Sequence, residues 1–326
     1  MRFILSALFS LFAVQALACT PLSAPTVISA PGNYCLGATV TVGSGVVPFT
    51  INSPNVSFDL KGYSIAGPGS GTGVGIYVPS GKYNVKIYNG SISGFMYGIR
   101  AINANGVSLT GIDASYNTFR GVAITGSNAR VEHSRIDFLN GHVPYADSYT
   151  MAVEILGPNC IVRFNTIKNT MPRGVGEGVG ISLSSNNSGC QVYDNLVRLN
   201  DADPAHGRTF GVWVGETPTG VSVHNNVILG TDYAVAAWAS TIYPNNYIDT
   251  ACGVFRSTQT DADCIDNRSY LNAQIQLEPN QPNWLHRMGF TYWDQFDEIN
   301  ALIYWDQACS MGQAESCRVA ARARDS

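Results

Sequence analysis

The sequence predicts an all-β chain of stacked rungs with a small helical tail, and three observations carry that prediction. First, the segments Cys160-Ile161-Val162-Arg163-Phe164-Asn165-Thr166-Ile167, Cys190-Gln191-Val192-Tyr193-Asp194-Asn195-Leu196-Val197 and Val221-Ser222-Val223-His224-Asn225-Asn226-Val227-Ile228 superpose, with Asn165, Asn195 and Asn226 spaced by 30 and 31 residues. An apolar residue stands three before each Asn and another two after it. Second, a small-apolar-x-apolar signature recurs seven times, at Gly75-Ile76-Tyr77-Val78, Gly98-Ile99-Arg100-Ala101, Gly121-Val122-Ala123-Ile124, Ala152-Val153-Glu154-Ile155, Gly180-Ile181-Ser182-Leu183, Gly211-Val212-Trp213-Val214 and Ala234-Val235-Ala236-Ala237. Third, charged residues make up only 13% of the chain, against about 25% in a typical domain. Glycine accounts for 33 of the 326 residues. Such a chain suits many short strands joined by tight turns, since Gly and Asn tolerate positive φ. A unit of this period cannot bury its apolar face alone and must stack on its neighbours.

Taken in order, Pro31 to Leu36 is a turn leading into the Val-x-Val strand of Ala38 to Val42. Rungs follow at Val56, Phe58, Leu60 and Ile65, at Val85, Ile87 and Ile92, at Val107, Leu109 and Ile112, and at Val131 and Ile136. The three superposed segments continue the series, and Ile242 to Ile248 closes it, with Asn246 in the recurring Asn position. Alternation along a strand turns the apolar pair of each signature inward and the residue between them outward. The outward column therefore reads Tyr77, Arg100, Ala123, Glu154, Ser182, Trp213, Ala236.

These rungs resemble the right-handed parallel β-helix of the pectin-lyase-like superfamily over roughly residues 30–256, and the resemblance implies about eight to nine rungs. The Asn column is similar to the asparagine ladder of that fold, in which stacked amides hydrogen-bond along the axis. Cys160 and Cys190 share one column on consecutive rungs. Strands about 4.8 Å apart allow a disulfide, whose Cα atoms lie roughly 4.4–6.8 Å apart.

Residues 1–18 read as an export signal: Arg2 supplies the positive start, Phe3 to Val14 the apolar run and Ala16-Leu17-Ala18 the cleavage site. The eight cysteines all follow that cut and pair sequentially as Cys19 with Cys35, Cys160 with Cys190, Cys252 with Cys264 and Cys309 with Cys317, an even set that suits an oxidising compartment. A secreted or periplasmic protein is expected, with lipid attachment at Cys19 as the rival, partly met motif. No later stretch is long and apolar enough to span a membrane. The net charge of −4 and the lack of a basic run argue against nucleic acid.

The organisation expected is a β-helix over 19–278 and a helical hairpin over 279–326. Pro279 to Pro282 reads as a linker or bend, Trp293 onward as a helix carrying Phe296, Ile299, Leu302 and Ile303, and Ala314 to Ala323 as a second helix after Gly312. Ala308-Cys309-x-x-Gly312-x-Ala314-x-x-Cys317-x-x-Ala320 resembles one disulfide-linked Sel1-like repeat. The hairpin is expected to cap the open end of the coil, because exposed sheet ends need covering, or else to dock a protein partner.

Chemistry is expected where the rungs lengthen. Three successive rungs carry long loops, at 138–150, 169–179 and 199–209, and equivalent loops on adjacent rungs must project side by side. They bring His142, Tyr145, Asp147, Arg173, Glu177, Asp201, Asp203, His206 and Arg208 to one flank, and long loops on a rigid scaffold commonly carry function. Beside them the outward residues Tyr77, Arg100, Glu154 and Trp213 suit a sugar chain, with the indole stacking on a ring face.

Two reactions fit this set. In a lyase or C5-epimerase a cation neutralises a uronate carboxylate while a base removes the C5 proton; Arg173 or Arg208 can neutralise, and His206, His142 or Tyr145 can be the base. In a hydrolase two carboxylates roughly 5–9.5 Å apart act as acid and base, a role open to Glu177, Asp201, Asp203 and Asp147. No cofactor is required, but Asp201, Asp203 and Glu177 can hold calcium.

The polygalacturonase motifs Asn-Thr-Asp, Asp-Asp, Gly-His-Gly and Arg-Ile-Lys are absent. Asp203-Pro204-Ala205-His206 is similar to the Asp-Pro-His-Asp of mannuronan C5-epimerases, with Ala205 inserted and the last Asp missing; the resemblance implies catalytic roles for Asp203 and His206. The sequence thus predicts a carbohydrate-active protein facing an acidic polysaccharide, with a non-catalytic glycan-binding or surface protein as the alternative.

Overall fold

The computed structural model describes residues 19–141, 149–174, 176–184, 186–199, 208–215, 218–231, 233–237, 247–249, 252–256, 275–276, 279–280, 282–293 and 297–325. The chain winds as a parallel β-solenoid in which every paired strand runs parallel to its neighbours. One face is a ten-stranded sheet. In chain order its strands are β1 (Thr26–Ile28), β2 (Phe49–Ile51), β3 (Val74–Val78), β4 (Tyr97–Ala101), β5 (Arg120–Thr125), β6 (Thr150–Leu156), β7 (Gly178–Leu183), β8 (Thr209–Val214), β9 (Tyr233–Ala237) and β10 (Cys252–Arg256). A sixteen-stranded sheet wraps the rest of the cross-section.

The register follows from the repeats. Ile76, Ile99, Val122, Val153, Ile181, Val212 and Val235 stack as one column across β3 to β9, and all are fully buried in one interior cluster with residues of the other sheet. Branched side chains on a pleated surface pack well against like neighbours one strand away. A slip of one residue would take every one of them out of the interior cluster, so the pattern fixes the register.

Asn165, Asn195 and Asn226 line up along the axis inside the turn. Asn165 donates through its backbone N–H and its amide to Asn195 Oδ1, at 3.0 and 2.9 Å, and Asn195 does the same to Asn226 Oδ1 at 3.0 and 2.9 Å. The amides also donate to the carbonyls of Val131, Val162 and Val192. One rung earlier Ser134 holds the place, donating its N–H to Asn165 Oδ1. The residue before each Asn takes positive φ, at Phe164, Asp194 and Asn225, so the turn presents the amide inward.

Three disulfides lie within the described residues: Cys19–Cys35, Cys160–Cys190 and Cys309–Cys317, with Cα separations of 5.6, 4.4 and 4.8 Å. The second joins consecutive rungs. The first occupies the thiol that a lipid on Cys19 would need. Residues 1–18, Asn246 and Cys264 lie outside the described residues. Among those described, no helix is long and apolar enough to cross a membrane.

The tail differs from expectation in one respect. A helix, α1 (Pro282–Trp293), precedes the two expected ones, α2 (Glu298–Ser310) and α3 (Ala314–Asp325). Pro282, read as part of a bend, is its first residue, a position where a missing N–H costs nothing. The two expected helices lie over the last strands of the ten-stranded sheet. Ala301, Trp305, Val319 and Ala320 pack on the outward face of the ten-stranded sheet, against Val179, Phe210, Tyr233 and Ala236. Those four side chains belong to β7, β8 and β9, whose sequences are apolar on both faces, and both faces are buried.

Candidate functional site

The outward column pairs as read: Tyr77 with Arg100, then Ala123, Glu154, Ser182, Trp213 and Ala236. The tail divides it. Trp213 is half-buried, tilted against Phe210 at 5.1 Å and packed with the tail cluster, so it is no open platform for a sugar ring. Tyr77, Arg100 and Glu154 lie on the part nearer the N-terminus.

Three residues before each outward position runs a second outward column: Tyr97, Arg120, Met151, Val179, Phe210, Tyr233. The small residue of each signature also faces the core, as at Gly121, Gly180 and Gly211, and so breaks the alternation. Its first members join the uncovered part of the face. Arg100 places its guanidinium carbon 4.7 Å above the Tyr97 ring, and Tyr97 meets Phe119 edge-on at 5.5 Å. Arg120 lies 3.8 Å over Phe119. Its Nε donates to Glu154 Oε2 at 3.0 Å, and its Nη1 donates to the carbonyls of Phe119 and Tyr149. Arg120 is only 6% exposed. An enclosed guanidinium held in this way fixes the Glu154 carboxylate, because breaking a buried pair leaves an uncompensated charge. Glu154 is therefore a positioned group with one oxygen committed. Arg100 makes no ion pair among the described residues.

Arg120, Phe119 and Tyr97 were missed by the sequence reading. Strict alternation would turn Tyr97 and Arg120, two before the inward Ile99 and Val122, into the core; the extra inward residue at Gly98 and Gly121 turns them out, and spacing alone carries no signal for that.

The loop edge lies beside this strip. Leu139 bridges Thr170, and a Cβ on Gly141, at φ +78, would lie 2.5 Å from Arg173 Cβ. The described parts of the first two long loops therefore touch at these points. Gly178 donates its N–H to the Arg208 carbonyl, bringing the third alongside. Glu177 is buried, with Oε1 3.4 Å from Arg208 Nη2 and Oε2 without a hydrogen bond among the described residues. Burial raises its pKa above the usual carboxylate range, and Arg208 offsets this in part. Arg208 is half-exposed and lies 5.9 Å from the rings of Phe210 and Tyr233. Arg173 is exposed. His142, Tyr145, Asp147, Asp201, Asp203 and His206 lie outside the described residues. Among the described residues no group of three or more His, Cys, Asp or Glu could hold a metal; Glu177 is the described member of the calcium set.

The raised Glu177 pKa has a testable consequence. A native state that holds the proton more tightly than the unfolded chain loses stability as pH rises through the unfolded value, about 4.3, toward the folded one. Glu177→Gln is expected to stabilise the protein at neutral pH by on the order of 1 kcal/mol, the scale of one unpaired buried polar atom. The Arg208 pair it gives up is long, at 3.4 Å, and solvated on the arginine side, which limits its worth. In thermal melts the gain should vanish below about pH 4; destabilisation at neutral pH would contradict the assignment.

The fold and site define a β-solenoid with a charged aromatic strip on one sheet face and long loops at its edge. Residues 74–252 match the family described as "Right handed beta helix region", and the chain belongs to that family. No curated protein matches. Among solved structures, an alginate lyase from Paenibacillus sp. str. FPU-7 is similar at 13% identity, over 70% of this chain and 92% of that one, with a TM-score of 0.29. Similarity that slight carries nothing about activity.

Proposed function

We propose that this is an exported, carbohydrate-active β-helix protein that acts on an acidic, uronate-containing polysaccharide as a lyase or C5-epimerase. The observation that carries the reading is the buried Glu177 carboxyl beside the Arg208 guanidinium, at the edge of a face offering Arg100 over Tyr97. The disulfides support an oxidising compartment.

Arg208, Arg173 or Arg100 neutralises the uronate carboxylate, which lets the C5 carbanion character develop. A base then takes the C5 proton. Glu177, whose proton affinity burial has raised, suits that role, as do His206, His142 and Tyr145 on the neighbouring loops; Asp203 and His206 carry the epimerase-like motif. In elimination the C5–H electron pair becomes the C4–C5 double bond, the C4–O bond breaks, and the departing oxygen takes a proton. In epimerisation a proton returns to C5 from the opposite face. Were calcium bound, Glu177, Asp201 and Asp203 would be the residues to hold it, and its charge would help neutralise the uronate carboxylate.

Incubation with alginate or pectin is expected to generate the ultraviolet absorbance of an unsaturated uronide, or exchange of the C5 proton with solvent. Glu177→Gln or His206→Ala should reduce the rate by roughly 10²–10⁴. Neither signal across a uronan panel rejects the reaction.

The Arg120–Glu154 pair and the Arg100–Tyr97 contact support a second reading, a non-catalytic glycan-binding or cell-surface protein, in which fixed polar groups on the strip hold a glycan without acting on it. Saturable glycan binding without turnover selects it. The tail, one Sel1-like unit by its cysteine spacing, covers its own sheet and leaves Ile299 and Ile303 exposed for a protein partner.

A further inference from the structure

The sixteen-stranded sheet carries a cleft of about 470 Å³ near the N-terminal end, lined by Asn33, Asn55, Ser57, Asn84, Lys86 and Gly106. It belongs to a different sheet from the strip described above. Three consecutive rungs build its floor, with Asn33 paired to Ser57 and Ser57 to Lys86. Asn55, Asn84 and Gly106 form its side, all at positive φ.

The amides are aligned. Asn84 Nδ2 donates to Asn55 Oδ1 at 3.1 Å. The column stops at Gly106, where a Cβ would come within 3.1 Å of Asn84 Oδ1. No side chain rises from Gly106 over that oxygen, which makes no hydrogen bond among the described residues. Lys86 is exposed and makes no ion pair among the described residues. No carboxylate lines the cleft.

We infer that this cleft is a second binding site, for a saccharide unit bearing a carboxylate or sulfate. The ammonium of Lys86 takes the anionic group. The amides, each both donor and acceptor, together with the Ser57 hydroxyl match the adjacent hydroxyls of a pyranose ring. The inference rests on the reading of the protein as one that meets an acidic glycan, and it adds a hold on the chain remote from the loops.

The test is a titration of the isotope-labelled full-length protein with oligogalacturonate, following the side-chain amide resonances of Asn55 and Asn84. Cellohexaose, inorganic phosphate and sulfate serve as comparisons. The expected result is saturable shifts with oligogalacturonate alone, an affinity about tenfold weaker in Lys86→Gln, the size of one charge-assisted contact, and no change in Arg324→Gln, an exposed charge on the tail. Equal shifts with phosphate or sulfate, or an unaltered affinity in Lys86→Gln, overturn the site. Shifts confined to residues 97–101 and 120–125 overturn the cleft and leave the loop-edge site standing. No response anywhere to any uronan overturns both.

Discussion

Trp305→Ala is expected to cost about 3–5 kcal/mol, the range for truncating a buried aromatic, and to loosen the tail from the sheet. Trp305 is 2% exposed, and its indole N–H donates to the His286 carbonyl at 3.1 Å. It fits where α1 and α2 approach most closely, over Gly289, where a Cβ would lie 2.3 Å from the ring. The same side chain belongs to the cluster that joins the helices to Val179, Phe210 and Tyr233. Its removal therefore opens a cavity in the helical layer and weakens that layer's seat on the strands. Thermal melts should show a lowered or newly separate transition, and a dye that binds exposed apolar surface should gain signal as Phe210 and Tyr233 are uncovered. Gly289→Ala should reproduce the effect by pushing the indole out. An unchanged melt and no dye signal in both variants would mean that the tail contributes little to the face it covers.

Asn195→Ala is the second large effect, expected to cost at least about 3 kcal/mol. The substitution removes the acceptor for the N–H and amide of Asn165 and the donor to Asn226 Oδ1 and to the Val162 carbonyl. Each buried polar group left unpaired costs about 1–3 kcal/mol, and Asn195 is 2% exposed, so water cannot replace the lost partner cheaply. Asn128→Ala, at an exposed turn with positive φ, should cost about 1 kcal/mol or less by comparison. Equal losses in equilibrium unfolding would mean that the column is merely a row of turn residues.

What could be read from the chain follows from periodicity. The inward column from Ile76 to Val235, the outward column from Tyr77 to Ala236 and the rung-to-rung Cys160–Cys190 bridge all depend on residues recurring at matching places, which a single sequence displays. The contacts of Tyr97 with Phe119 and of Arg120 with Glu154 are diagonal between rungs. They depend on the reach and rotamer of each side chain, and spacing alone does not set those.

The tail's position was hidden for another reason. An amphipathic helix declares that it has an apolar face without saying what covers it. The answer stood in the strands: Phe210-Gly211-Val212-Trp213-Val214 is apolar throughout, as expected of a strand buried on both faces. Pro282 misled because a proline that stops one element can equally start the next. For the loops, the side-by-side placement of Gly141, Arg173 and Arg208 was legible, whereas the burial of Glu177 was not, because it depends on what packs over it.

Calorimetric titration with matched acidic and neutral oligosaccharides bears most directly on the central claim, that stacked rungs present a strip built to meet an anionic sugar chain. The account predicts binding of oligouronates and not of neutral oligosaccharides, with affinity falling about tenfold in Arg100→Ala, one charge-assisted contact. Equal affinity for neutral and acidic chains, or the same affinity in wild type and Arg100→Ala, would contradict it.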